Sequence, residues 1–347
     1  MESVDLLRGV AILAMLIAHG APFLWPTGMS RPVEMLLGGI NALASPLFGL
    51  VMGAAAAIVW SRPLTLERWP RRTLADIGRG VLVFGLGVLL VDVDTWVAIV
   101  LHVLGVLMVL GLPVAALAGA ALRGGRSSGL WRAVTWTSTV AAFVAAPWLT
   151  GTLAPAGERI ANGRAGDWSE LWVALTAGSS YRAVSLLPFF TLGAALTASG
   201  LVRQPRRLAL LAGVSAGLLA ALRLAGVLRP GELSGDVMDQ WWDLTLVSVA
   251  VAVIAGVLAL GPRVPAALRQ PLADLGTIAL SVYALQLLVL KPLMGLDLWQ
   301  TSARWGWMCL LALVLVPSVA MVTWRRVLGP GPLELVVALV TGKVRAS

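Results

Sequence analysis

Ten long apolar stretches dominate this sequence and restrict it to a helical, membrane-spanning fold. Each is close to the ~20 residues that a helix needs to cross a ~30 Å hydrocarbon core. Hydrophobic residues make up 59% of the chain and charged residues 12%, which excludes a soluble enzyme, a disordered chain and a nucleic-acid-binding domain. The predicted spans are residues 4–25, 37–60, 74–91, 96–122, 131–150, 183–201, 208–228, 244–261, 272–292 and 305–324.

The arginines between these spans predict how the chain is oriented. Basic clusters follow alternate spans, within residues 62–72, 123–132, 203–207 and 263–269, and recur in the tail. Because short cytoplasmic loops collect Lys and Arg, these clusters indicate that both termini are cytoplasmic. The net charge of +9 is therefore attributed to topology, and no nucleic-acid partner is expected. We predict an all-α, polytopic inner-membrane protein of about ten transmembrane helices.

No soluble domain interrupts the spans, so residues 1–347 are predicted to form one transmembrane domain. Its cytoplasmic tail, residues 325–347, contains an apolar run at 335–341 that suits an interfacial helix. The outer loops at 151–182 and 229–243 are acidic, and the second carries Trp241 and Trp242. These indoles fit two roles, interfacial anchors or a stacking surface for a sugar beside carboxylates.

The first span holds the sharpest signal, the pair Arg8 and His19. Eleven helical steps of ~100° return to within ~20° of the start and rise ~16 Å, so the two side chains share one face. Asp5 lies three residues before Arg8 and is placed to pair with it. An ionisable residue inside a bilayer is costly and marks a functional candidate. The structural alternatives are a positive-inside anchor for Arg8 and a packing role for His19.

The chemistry of this pair suits acyl transfer. An imidazole accepts a hydroxyl proton near neutral pH, and an arginine at the inner surface can hold a phosphate of coenzyme A. The ~16 Å between them is close to the reach of an extended pantetheine arm. The predicted co-substrate is therefore acyl-CoA. With one cysteine and two histidines in the chain, no metal site is expected.

Three other polar residues are predicted near the depth of His19 and could line an acceptor site. His102 lies six residues into the fourth span, and Tyr283 and Gln286 share one side of the ninth. Hydrogen-bonded packing is the alternative for His102, and interhelical bonding is the alternative for Tyr283 and Gln286.

A second group of polar residues belongs to the cytoplasmic side. Arg79 is spaced to pair with Asp76, and Arg71 and Arg72 lie nearby. With Arg8 they could form a basic mouth for the phosphates of the coenzyme. Structural anchoring is the alternative for each of these arginines.

The Asp-x-x-Arg-Gly run from Asp5, followed by His19, resembles the opening helix of the transmembrane acyltransferase superfamily. That superfamily includes the type-3 membrane acyltransferases and the heparan-alpha-glucosaminide N-acetyltransferases. Four further segments resemble YeiB-like inner-membrane proteins, namely Leu47–Gly53, Leu187–Gly193, Gly276–Gln286 and Gly331–Glu334. Two departures are Val282, where the pattern has Asn, and a tail without the Trp and Arg that follow the Glu.

The resemblance implies that Arg8 contacts acyl-CoA and that His19 is the catalytic base, and we expect His102 to orient or assist. It implies transfer of an acyl group, acetyl above all, to a hydroxyl or amine of an extracytoplasmic glycan or glycolipid. A transporter or lipid flippase is the main alternative, and a non-catalytic envelope scaffold is a third. Membrane lipid is an expected partner, and the sequence leaves open whether the chain forms a homo-oligomer.

Overall fold

The computed structural model describes residues 2–63, 68–91, 93, 95–97, 99–162, 183–224 and 235–341. Side chains are not described for residues 2, 147, 150–162, 218–220, 222–224 and 235–246. Within the described residues the chain is all-helical and contains no strand. Its α-helices are α1 Glu2–Gly20, α2 Arg31–Trp60, α3 Trp69–Val91, α4 Leu101–Leu110, α5 Leu112–Arg123, α6 Ser128–Asn162, α7 Ala183–Ala198, α8 Pro205–Leu224, α9 Gly235–Leu260, α10 Ala266–Thr277, α11 Ala279–Gly295, α12 Ala303–Leu328 and α13 Pro332–Val340.

The helices confirm an integral membrane protein of the all-α class. Over the described part of the chain, α1 with the short turn after it, α2, α3 and α12 are each long and apolar enough to cross a membrane. Two bent pairs, α4 with α5 and α10 with α11, pass the same test. Every one of the ten predicted spans overlaps a helix or a bent pair. How many of them cross, and in which direction, stays a prediction.

Several predicted boundaries were wrong. The stretch 151–182 was predicted to be a loop, but α6 continues to Asn162, and α9 already begins at Gly235 inside the predicted loop 229–243. The fourth and ninth spans are not straight either. The axis bends by 55° between α4 and α5 and by 88° between α10 and α11. Pro113, next to the first bend, has no N–H to continue the helical hydrogen bonds.

The contacts of the chain separate into two compact units, each built from distant segments. The terminal unit contains Met1–Phe48, Leu89–Ile99 and Gly261–Ser347, and the central unit contains Gly49–Val88 and Val100–Leu260. The predicted single domain 1–347 and the cytoplasmic position of its tail stay predictions, while the apolar run in the tail is indeed helical, as α13.

Close glycine contacts organise the terminal unit. A Cβ on Gly9 would collide with the carbonyl of Leu272 on α10, and one on Gly276 would collide with the carbonyl of Asp5 on α1. The two backbones therefore touch, which is the small-residue packing that replaces hydrophobic driving force inside lipid. At the other end of α1, Gly20 packs against Leu310 of α12.

Small residues also bring helices together in the central unit. Gly53 of α2 and Gly193 of α7 each face backbone of the other helix, and Gly80 and Gly105 do the same between α3 and α4. A cluster of buried alanines joins α2, α5 and α7; its members are Ala57, Ala118, Ala121, Ala194 and Ala198.

Candidate functional site

His19 occupies the last turn of α1 and is buried, with 8% of its surface exposed. Its ring meets Gln286 of α11, whose Nε2 donates a hydrogen bond to His19 Nδ1. Gln286 is itself fully buried. Burying polar groups costs free energy unless each has a hydrogen-bond partner. The contact between these two side chains is therefore a specific feature of the terminal unit.

Tyr283 completes this buried group. It lies one turn before Gln286 on α11, and its ring meets the His19 imidazole edge to face, with centroids 6.4 Å apart and an interplanar angle of 76°. Only 2% of Tyr283 is exposed. The structure therefore brings together three residues that the sequence placed at one depth. Their predicted roles stay predictions. Gln286 hydrogen-bonds the imidazole of another helix, which was the alternative to its predicted contact with substrate.

The Gln286 amide decides which ring nitrogen of His19 is available for chemistry. With Nε2 of the amide facing the ring, Nδ1 accepts and the imidazole proton sits on its own Nε2. Among the described residues, Gln286 Oε1 has no hydrogen-bond partner. If the amide turns by 180°, Oε1 accepts a proton from Nδ1, and the far nitrogen then carries the free lone pair of a general base.

Three aromatic rings surround the His19 end of α1; we call Phe23, Trp96 and Trp299 the aromatic cluster. Their centroids lie 4.8 to 5.7 Å apart, all in edge-to-face arrangements. Trp96 Nε1 also donates a 3.1 Å hydrogen bond to the His19 carbonyl. Sequence reasoning missed this cluster. The available signal was that Trp96 and Trp299 both border predicted spans on the predicted outer side.

The other end of α1 carries the predicted ion pair. Arg8 Nη1 lies 3.2 Å from Asp5 Oδ1, which confirms the pairing. The two side chains are partly exposed, 34% for Arg8 and 20% for Asp5. Since Gly276 packs on the Asp5 carbonyl, the same turn of α1 that presents Arg8 is also held by α10.

His102 belongs to the central unit, and the predicted start of its helix at residue 96 was wrong. His102 is the second residue of α4, because the described residues from 95 to 100 are not helical. Its backbone lies directly against Gly87, and its ring meets Phe84 edge to face at 6.4 Å. His102 Nδ1 finds no hydrogen-bond partner within the described residues. Its assisting role stays a prediction.

Arg72 and Arg123 close the C-terminal end of α2. Arg72 donates to the carbonyl of Val59, and Arg123 donates to that of Trp60 at 2.7 Å. The Arg72 guanidinium also lies 4.8 Å from the Trp60 ring centre and 3.9 Å from Asp76. Cations are favourable at a helix C-terminus, where carbonyls lack partners. These contacts give Arg72 a structural role in addition to the predicted one.

The remaining predicted residues contribute less. Arg71 and Arg79 are exposed on α3. Asp76 meets Arg72, and its predicted pairing with Arg79 stays a prediction. Trp241 and Trp242 lie on α9, but their side chains fall outside the described part of the chain. Across the residues that the structure does describe, no three His, Cys, Asp or Glu side chains gather as a metal site.

Comparison with known families decides the class of protein. The family model of the type-3 acyltransferases, described as an acyltransferase domain, matches residues 1–323. The chain belongs to this acyltransferase family. The match includes α1, α10, α11 and almost all of α12, and therefore every residue of the His19 site. No curated protein matches the sequence.

Proposed function

We propose that this acyltransferase moves an acyl group, acetyl in the simplest case, from cytoplasmic acyl-CoA to a glycan or glycolipid on the outer side of the inner membrane. The observation that carries the proposal is the buried contact of His19 with Gln286, in a chain whose family transfers acyl groups. A membership within the YeiB-like group is the narrower hypothesis, which rests on the sequence segments alone.

His19 acts as the general base in a direct transfer. Its free ring nitrogen takes the proton of the acceptor hydroxyl or amine while that oxygen or nitrogen bonds to the thioester carbonyl carbon. The carbon–sulfur bond of the thioester then breaks, and the departing CoA thiolate receives the proton from the imidazolium. An acyl-His19 intermediate is the alternative route. Nothing is oxidised or reduced in either.

Gln286 and Tyr283 hold the base in place. Once the amide has turned so that Oε1 faces the ring, its oxygen accepts the Nδ1 proton and so fixes the tautomer, as the acid member of a catalytic triad does. Tyr283 packs edge to face on the same ring and restricts its rotation. A buried base whose ring cannot turn keeps its lone pair aimed at the acceptor, which is where orientation contributes to rate.

Arg8 binds the phosphates of the coenzyme at the other end of α1, and Asp5 orients its guanidinium. A guanidinium presents a planar set of donors that matches phosphate. Its side chain is partly exposed. The ~16 Å helical rise between Arg8 and His19 accommodates the pantetheine arm. The proposal that Arg71, Arg72 and Arg79 also bind the coenzyme rests on the sequence alone.

The aromatic cluster supports a sugar as the acceptor. Trp96 and Trp299 are half-buried indoles next to the turn that carries the base, and an indole face suits the apolar face of a pyranose. Trp241 and Trp242 on α9 are proposed as additional contacts, and His102 is proposed to assist.

The test uses purified protein in nanodiscs with radiolabelled acetyl-CoA. Methyl glucoside offers only hydroxyl acceptors and glucosamine adds an amine, so the two probes separate ester from amide formation. Wild type is expected to release CoA and to label an acceptor, and His19→Gln is expected to lose both. Arg31→Gln, an exposed change, is the folded control. Wild-type rates in His19→Gln would refute the proposal, as would solute uptake into liposomes without CoA release.

A further inference from the structure

Helix α11 begins at a sharp bend, and its first N–H groups bind a residue of the tail. The first N–H groups of any helix lack acceptors within it. Here the Leu280 N–H donates to Glu334 Oε1 at 2.8 Å, and the Ser281 N–H donates to the same oxygen at 3.2 Å. Ser281 Oγ donates to Glu334 Oε2 and accepts from the Leu333 N–H at 3.1 Å. Glu334 therefore caps a helix that starts more than fifty residues earlier.

The tail is shaped for this contact. A Cβ on Gly331 would lie 2.6 Å from Ser281 Oγ, so only a glycine allows the chain to come this close. Pro332 then starts α13, and Pro is favourable at the first position of a helix. The carboxylate also meets the positive end of the α11 dipole. The Gly-Pro-Leu-Glu sequence is thus a cap built for another helix.

The cap matters because the bend separates two helices that need separate anchors. Helix α10 is fixed by its glycine contact with α1, but α11 leaves α10 at 88°. The packing of α10 therefore does not set the direction of α11. From Ser281 the helix rises only ~7.5 Å to Gln286. The capped end and the histidine contact are thus less than two helical turns apart, so a shift of the first also displaces the second.

We propose that Glu334 is a positioning residue for the His19 site. By fixing the first turn of α11 it sets where Tyr283 and Gln286 meet the imidazole. Its meaning for catalysis rests on the proposed function, whereas its effect on the His19 contact does not. A misplacement of about 1 Å at a reacting group can cost ~100-fold in rate, so a modest shift of α11 has a measurable consequence.

The first test needs no activity. The chain contains two histidines, so ¹⁵N-histidine NMR of His102→Gln protein in bilayers reports on His19 alone. Removing the amide with Gln286→Met defines the Nδ1 signal of an unpaired ring. We expect Glu334→Ala to move the Nδ1 signal towards that position, and Ser281→Ala to move it less. Glu34→Ala, which removes an exposed carboxylate on α2, should leave it unchanged.

Kinetics then show whether the shift matters for transfer. Glu334→Ala should lower kcat by about tenfold or more with little change in the KM for acetyl-CoA. In a Gln286→Met background, Glu334→Ala should lower kcat by a much smaller factor, because the contact that Glu334 positions is already absent. Glu334→Gln keeps an oxygen for both N–H groups and should rescue kcat towards wild type.

The outcomes separate the two proposals. An unmoved Nδ1 signal in folded Glu334→Ala or Ser281→Ala protein would overturn the positioning role. The role would also be overturned if the separate losses of kcat in Glu334→Ala and Gln286→Met simply multiply in the double variant. If Glu334→Ala fails to fold, Ser281→Ala decides the question. If the signal moves but wild type transfers no acyl group, the positioning role stands and the proposed function falls.

Discussion

Gln286→Met tests whether the amide orients the ring of His19, the proposed base. Methionine has nearly the same length and keeps the space filled, but it offers His19 neither a donor nor an acceptor. Gln286 is fully buried, so water cannot replace the amide without cost, and the ring nitrogen at Nδ1 is left unpaired. Leaving a buried polar group unpaired costs ~1–3 kcal/mol.

Loss of this hydrogen bond lowers the reaction rate only if the bond is stronger in the transition state than in the ground state. In the proposed mechanism the imidazole gains a positive charge as it takes the acceptor proton, and a hydrogen bond from a charged donor is about twice as strong as a neutral one. At about 1.4 kcal/mol for each factor of ten, Gln286→Met should lower kcat roughly 5- to 150-fold.

The assay is release of the CoA thiol at saturating acetyl-CoA, with acceptor present, and with folding checked by gel filtration. The matched variant is Gln286→Glu, which keeps an oxygen that can accept the Nδ1 proton and should retain more activity than Gln286→Met. A wild-type kcat in Gln286→Met would refute an orienting role for the amide. Equal loss in both variants would mean that the amide N–H, not its oxygen, serves the ring.

Three further changes probe the rest of the terminal unit. Arg8→Gln should raise the KM for acetyl-CoA about tenfold, which corresponds to the loss of a charge-assisted hydrogen bond, with kcat nearly unchanged. An equal rise of KM in Arg31→Gln would contradict a role of Arg8 in binding the coenzyme. Gly276→Ala pushes a methyl group into the backbone of α1 and should cost about 1–3 kcal/mol as a lower Tm. Gly78→Ala adds the same methyl group in open space and should not lower Tm, so equal losses would contradict this packing. Trp96→Phe keeps an aromatic ring but loses the hydrogen bond to the α1 carbonyl, and should lower the free energy of unfolding by about 0.5–1.5 kcal/mol. An unchanged Tm would show that this hydrogen bond does not contribute to stability.

The sequence predicted well what a single helix determines. Helical periodicity alone places Asp5 beside Arg8, and it places Tyr283 and Gln286 on one side. It also sets the rise from Arg8 to His19. These relations depend only on the geometry of one helix, so the structure could differ little from the expectation.

Relations between distant segments were not predictable in the same way. The 88° bend before α11 has no proline at the break itself, and the partner of its first N–H groups lies in the tail. Nothing in the spacing of Ser281 and Glu334 shows that they meet. The Gly-Pro-Leu-Glu motif is visible in the sequence, but its contact with α11 appears only in the tertiary structure.

One pair shows why a pattern on a helix can leave two solutions. Asp76 can reach Arg79 one turn later or Arg72 one turn earlier, and both spacings are favourable. Arg72 meets Asp76, and the same guanidinium also covers the Trp60 ring and donates to the carbonyl of Val59. Contacts with a second helix, which the sequence of α3 does not contain, favour Arg72.

Two contacts of α1 fix the register of the site. Gly276 touches α1 near Gly9, and Gln286 touches it at His19, ten residues further along each segment. Ten helical residues rise ~15 Å, so the two contacts are about equally far apart along each segment. A register slip of one residue would move Gln286 by ~1.5 Å and rotate it by ~100°, away from the ring. The glycine contact below and the Glu334 cap at the start of α11 each oppose that slip.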